Sequence, residues 1–303
     1  MVINNTVLAA LRTTFRNDFQ RGLESVPKLR ERVSTMVPST TALNTYGWLE
    51  GMPGMREWIG ERLIHNLKER AYQLSNKTWE STVGVRREDI EDDNLGIYGP
   101  TMQMLGAEAG EHPELLVWDL LLAGFAATKG LAWDGQYFFD SDHLTWDANG
   151  AETTFSNTGG GSGAAWFLAD LSKPLKPVIF QERRKLAFTA KDRMEDDNVF
   201  ERSEYQYGCD ARYNAGFGLF QTIYGSKDTL SEANVVAGRT ALMGQRKPSG
   251  AKLNLNPNTI ICGPSNLAAA LKIADAQLVA SGNAGVSNVW AGRFQVLEVP
   301  YLT

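Results

Sequence analysis

The chain has 303 residues, 43% of them apolar and 21% charged, with a formal net charge of −5. That is enough chain for one large or two modest globular domains, in an ordinary globular composition. The acidic balance argues against a nucleic-acid grip, which needs clustered Lys and Arg against phosphates, yet it is compatible with enclosing DNA without adhering to it. Residues 1–19 have neither the basic nor the apolar region of a secretory signal. The most apolar run, Leu115 to Ala127, is interrupted by Asp119 and falls short of the ~20 apolar residues of a membrane span. Cys209 and Cys262 are too few for a disulfide framework. A soluble chain made in a cytoplasm is expected.

Residues 6–23 place Leu8, Leu11, Phe15, Phe19 and Leu23 at steps of three and four, the apolar stripe of a helix. Val33 to Tyr46 is rich in Ser and Thr, contains Pro38, and reads as an extended arm rather than a core element. From Tyr46 to Asp93 the character changes. Trp48, Trp58 and Trp79 punctuate a segment in which Arg56, Arg62, Lys68, Arg70, Arg86 and Arg87 mix with Glu57, Glu61, Glu69 and Glu88. Such a segment is either a solvated, salt-bridged surface or a projecting loop ordered by lying on a neighbour, and the residues leave both open.

Ile97 to Thr128 carries Leu105, Ala109, Leu116, Leu120 and Ala123 on roughly one face of a long helix. Pro100 suits its first turn, Pro113 marks a kink or a break into two helices, and Gly124 and Gly130 weaken or end its last turns. Asp92 or Asp93 stands ahead of it, where the helix dipole favours acids. Ala132 to Phe139 reads as strand and Asp140-Ser141-Asp142 as turn. Ala151 to Gly163 is a flexible loop by composition. Strands are expected over Ala165 to Phe180 and Leu186 to Ala190, around Pro174 and Pro177, and over Tyr205 to Tyr213 and Phe294 to Tyr301. Helices are expected over Ser231 to Met243 and Ser265 to Ala280, the second with Pro264 near its start and Gly282 past its end.

Few groupings suggest chemistry. Asp140, Asp142 and His143 could seed a metal site, but adjacent turn residues rarely converge on one ion, and Asp and Ser favour turns in their own right. Gly160-Gly161-Ser162-Gly163 approximates a nucleophile elbow, but polar loop precedes it and no histidine follows His143. The same glycines lack the Gly-Lys-Ser/Thr of a phosphate loop. The acidic runs Glu91 to Asp93 and Glu195 to Asp197 read as solvated element ends rather than two-metal chemistry. Arg183-Arg184-Lys185, beside Glu182, reads as an intersubunit ion-pair site.

Five blocks, taken in order, resemble one family: Arg87 to Gly96 (REDIEDDNLG), Trp133 to Gln136 (WDGQ), Phe138 to His143 (FFDSDH), Leu175 to Arg183 (LKPVIFQER) and Tyr207 to Gly216 (YGCDARYNAG). The chain resembles the Mu-like prophage major head subunit, the gpT class of phage capsid proteins, over nearly its whole length. The resemblance implies an α+β subunit of the Hong Kong 97-type capsid fold. Its parts would be an N-terminal arm (1–45), an extended loop (46–95), a spine helix with a peripheral-domain hairpin (96–145), and an axial domain with strands returning to the peripheral domain (146–303). It implies hexamers and pentamers of the chain closing an icosahedral shell around double-stranded DNA, in the virion after assembly in the host cytoplasm. A scaffold, a portal and a decoration protein are implied as partners, without a membrane, cofactor, metal or catalytic residue. The resemblance favours the projecting-loop reading, with Trp48, Trp58, Arg62, Lys68, Arg70, Trp79, Arg86, Arg87, Glu88, Arg183 and Arg184 as intersubunit contact candidates. A metal-dependent enzyme built on Asp140 to His143, and a phage structural protein outside the shell, are the alternatives.

Overall fold

The structure is a computed structural model that describes residues 5–49, 69–92, 96–281 and 284–302. Helix α1 (Asn5–Ser25) and the single turn α2 (Arg30–Val33) lead into β1 (Ser34–Pro38). Strands β2 (Leu43–Leu49) and β3 (Glu69–Ser75) pair antiparallel, and β4 (Lys77–Arg86) and α3 (Arg87–Glu91) precede the long helix α4 (Tyr98–Ala123). Short strands β5 (His143–Trp146), β6 (Glu152–Phe155), β7 (Thr158–Gly161) and β8 (Trp166–Ala169) follow. Next comes a long hairpin of β9 (Val178–Lys191) and β10 (Glu204–Phe217), with α5 (Asp197–Arg202) at its tip. The last part contains β11 (Ile223–Lys227), α6 (Glu232–Gly244), β12 (Thr259–Cys262) and α7 (Pro264–Ala274). A hairpin of β13 (Leu278–Ser281) and β14 (Ala284–Ser287) and then β15 (Gln295–Glu298) complete it.

Two larger sheets organise these elements. The first has the order β1-β9-β10-β4, and α1 and α4 pack against it. Tyr205, Tyr207, Cys209, Ala211 and Tyr213 are buried at every second position of β10, the period of a strand with one face on a core. The second has the order β15-β12-β8-β11-β7. Strands β8 and β12 are buried throughout, and their alternate residues feed two cores. Phe167, Ala169 and Ile261 face the core shared with α4, while Trp166, Leu168, Ile260 and Cys262 face the one under α6 and α7. A sheet covered on both faces reads as continuous apolar runs, as WFLA and TIIC do.

The stripe of α1 is buried as expected, with Leu8, Phe15 and Phe19 nearly inaccessible. α1 and α4 approach to backbone contact. A Cβ on Gly22 would sit 1.8 Å from the Gln103 carbonyl oxygen, and one on Gly106 would sit 2.0 Å from that of Phe19. Only glycine permits this approach. Helix α6 also forms where expected, with the Ser231 hydroxyl accepting the Asn234 N–H at 3.3 Å.

Several expectations are corrected. Val33 to Tyr46 is no free arm: β1 pairs parallel with β9, from Ser34 opposite Val178 to Pro38 opposite Glu182, and Val33 and Ser34 are buried. Pro38 is tolerated because it ends an edge strand, where an N–H can be spared. Ala132 to Phe139 is not a strand. The Ala132 N–H donates to Gln136 O and Gly135 takes a positive φ of 86° between them, so the chain turns back on itself before the buried Phe138 and Phe139.

Ala151 to Gly163, loop-like in composition, holds β6 and β7 instead. Asn157 between them is fully buried; its side chain accepts the Asp140 N–H and donates to Phe138 O, each at 2.8 Å. Ala165 to Phe180 splits into β8, a turn with both prolines, and the start of β9, and Leu186 to Ala190 belongs to the last part of that one strand. Helix α4 runs unbroken through buried Pro113 but ends at Ala123, and its start has no acidic side-chain cap. α7 stops at Ala274, leaving Ala280 in β13.

Candidate assembly surfaces

Residues 58, 62 and 68, which carry the contact candidates Trp58, Arg62 and Lys68, lie outside the described residues. Trp48 and Arg70 stand opposite each other in the β2–β3 ladder. Trp79, by contrast, is engaged by its own subunit. Its indole N–H donates to Tyr213 O at 3.0 Å, and its ring lies 4.3 Å from that of His112 on α4. His112 Nδ1 is 2.8 Å from the Tyr213 hydroxyl, and burial holds the imidazole below its ordinary pKa. These contacts tie β4, α4 and β10 together.

Arg86 is exposed, while Arg87 and Glu88 are stitched to the tip of the long hairpin. The Arg87 backbone N–H donates to Ser203 O, and the Glu88 carboxylate accepts from the Ser203 hydroxyl at 3.0 Å. The Glu88 pKa is lowered by its own backbone N–H first and by Ser203 second. Arg184 pairs across the β9–β10 ladder with Asp210 of the same chain, whereas Arg183 is exposed.

Asp140, Asp142 and His143 do not converge. The Asp140 carboxylate accepts the Ser141 N–H, and that of Asp142 accepts from Gln136 Nε2 at 3.0 Å. His143 is fully buried, its ring stacked 3.8 Å from that of Phe220, with Nδ1 2.7 Å from Asp134 Oδ2 and Nε2 3.3 Å from Phe138 O. Among the described residues no group of three or more His, Cys, Asp or Glu is placed to hold a metal. Cys209 and Cys262 are both buried and free; burial raises both thiols, that of Cys262 to about 11. No helix among the described residues is long and apolar enough to cross a membrane.

Two buried ionic contacts escaped sequence reasoning. Glu114 on α4 is fully buried and accepts from the Arg30 backbone N–H at 2.7 Å, Arg30 Nη1 at 2.8 Å and Trp118 Nε1 at 3.2 Å. Arg30 also lies 5.1 Å from the centre of the Phe180 ring. Asp192, equally buried, pairs with Arg12 of α1, and that hydrogen bond is the largest cause raising the Arg12 pKa. The available signal was an acid, Glu114, set between Pro113 and the apolar run Leu115 to Trp118. Together these pairs lock residues 5–30 onto the spine helix and the long hairpin.

Comparison with known proteins places this architecture. The sequence profile of the Mu-like prophage major head subunit gpT matches residues 8–302. The chain is 38% identical to the major capsid protein of Escherichia phage Mu over 308 residues, covering 100% of both. It is 37% identical to the Mu-like prophage FluMu major head subunit of Haemophilus influenzae, covering 93% of each. Among solved structures it resembles the procapsid of bacteriophage JBD30, with a TM-score of 0.81 and 42% identity over 99% of this chain and 100% of that one. It also resembles the JBD30 capsid decorated with minor capsid protein trimers, with a TM-score of 0.76 and 32% identity over 100% of both.

The fold and these matches define a shell-forming capsid subunit of the Hong Kong 97-type, a structural protein and not an enzyme. Within that class the chain belongs to the Mu-like prophage major head subunit gpT family, the major capsid proteins of Mu-like phages. Its place is the capsid shell of the virion.

Proposed function

We propose that the subunit closes an icosahedral shell of hexamers and pentamers around double-stranded DNA, with a scaffold protein, a portal and a decoration protein as partners. The full-length likeness to the JBD30 procapsid carries this reading. A decorated relative, the JBD30 capsid with minor capsid protein trimers, supports the decoration partner. The chain's net charge of −5 suits a wall that holds DNA without gripping it. The first sheet with α1 and α4 forms the peripheral domain in this reading, and the second sheet with α6 and α7 the axial domain. Within 46–95, β4 belongs to that first sheet, and the residues ahead of it form the extended loop that reaches a neighbour. Size-exclusion chromatography and electron microscopy of the expressed chain test it: large closed particles are expected. A small oligomer with a stoichiometric metal would favour the enzyme alternative instead.

A further inference from the structure

A groove of about 400 Å³ opens where the β5–β6 hairpin, the turn between β8 and β9 and the loop after α6 meet. Its floor is apolar, formed by Leu144, Trp146, Leu219, Leu253 and Leu255, and Leu175 stands beside it 45% exposed. Lys173, Arg246 and Lys247 line it too, and no carboxylate does among the described residues. Those cations are only partly satisfied. Lys173 donates to Asn254 O and lies 4.0 Å from buried Asp170, while Arg246 donates one guanidinium N–H to Gly250 O. Gln221 adds a side-chain oxygen shielded from solvent and without a hydrogen-bond partner.

In a chain of net charge −5, a carboxylate-free apolar groove beside three cations is a local reversal of sign. Its complement is an apolar side chain flanked by acids, with an N–H to spare for Gln221. We propose that the groove is a socket for a second copy of this chain, in which such a side chain of the neighbouring subunit seats on the leucine floor. In heterologous contacts between identical subunits, a socket on one copy requires its counterpart on a different surface of the same chain. The chain exposes that chemistry: Phe200, 87% exposed on α5, stands among Glu195, Asp196, Asp197 and Glu201. Tyr137, 44% exposed, precedes Asp140 and Asp142. Opposite charges would set the register, and the buried apolar side chain would hold the contact.

The proposal rests on the shell reading, and the experiment separates the two. Shells assembled from mixed ¹⁴N- and ¹⁵N-labelled subunits are treated with a zero-length carboxyl-to-amine cross-linker and read by mass spectrometry. A mixed-isotope peptide joining Lys173 or Lys247 to an Asp or Glu of another copy is expected. Cross-links from these lysines only within one copy, or only to a different protein, overturn the socket. In parallel, Leu175→Ser with Lys247→Glu, both outside the core, is expected to lower shell yield at least tenfold while the subunit keeps its native circular dichroism. Normal shells from that variant also overturn the socket, as does an intact shell that has merely lost a decoration or scaffold protein. Failure of the unmodified chain to form shells would instead sink the shell reading.

Discussion

At Glu114 a fully buried carboxylate sits among apolar residues of α4, and donors from Arg30 and Trp118 converge on it. Removing one partner of such a pair strands the other, because Arg30 is itself 12% exposed. Glu114→Ala is therefore expected to cost about 3–5 kcal/mol, and Glu114→Leu with Arg30→Leu much less, in urea unfolding of the unassembled subunit. His143 and Asp142 divide in the same way. His143→Ala is expected to lose about 2–4 kcal/mol through its stacked ring and its bond to Asp134, and exposed Asp142→Ala less than about 0.5 kcal/mol. Elemental analysis is expected to find no stoichiometric metal in either variant, and one present in the native chain but lost in the double variant would contradict this. His112 gives a pH dependence. Its pKa in the folded subunit is lowered by burial, so between that value and the ordinary one, about 6.5, the unfolded chain binds the extra proton. Its contribution is complete above the ordinary value and is lost as pH falls through the folded one. The urea midpoint is expected to drop between pH 7 and pH 5 by more in the native subunit than in His112→Gln.

At the scale of elements, the contact between α1 and α4 and the pairing of β1 with β9 make the N-terminal segment part of the body. The same pairing logic bears on the extended loop. Deleting Gly51 to Thr82 would remove β3 and more than half of β4, which pairs with β10 from Lys77 to Arg86. That deletion would confuse a lost interface with a broken sheet. Deleting residues 51–67 alone, with a short glycine closure, leaves both strands. The expected product is a soluble chain with native circular dichroism that no longer forms closed shells by electron microscopy. Intact shells from it would end the proposal that this loop reaches a neighbour.

For the whole molecule, many weak contacts repeated over a lattice can hold a shell that none holds alone. Mixed charges then fix register more than they add affinity, and apolar anchors carry more of the energy. Trp79 is half-buried against its own subunit, so the expected anchors are Trp48 and Trp58. Trp58→Ala is expected to reduce particle yield more than Arg62→Ala, with both unassembled subunits keeping native circular dichroism. Loss of subunit folding in Trp58→Ala would instead place that ring in the subunit's own core.

What the sequence determined by itself was largely periodic or carried by family blocks. The stripe of α1, the length and position of α4 within a few residues, the extent of α6, and the family itself were legible, because each is written in neighbouring residues. Only the tertiary structure decided what pairs across long separations. β1 was misread because its ladder partner β9 lies far along the chain, and a strand's hydrogen bonds leave no mark on composition. Residues 151–163 looked like a loop because glycine and serine are read as flexibility, whereas buried Asn157 and the partners of β6 and β7 hold them. The contact candidates divide for the same reason: Trp79 and Arg184 have partners on the neighbouring strand β10 of their own subunit, which charge and aromatic character do not reveal. Glu114 and Arg30, 84 residues apart, became a pair only when α2 was laid against the spine helix, since burial of a charge is a property of the assembled core and not of its neighbours in sequence.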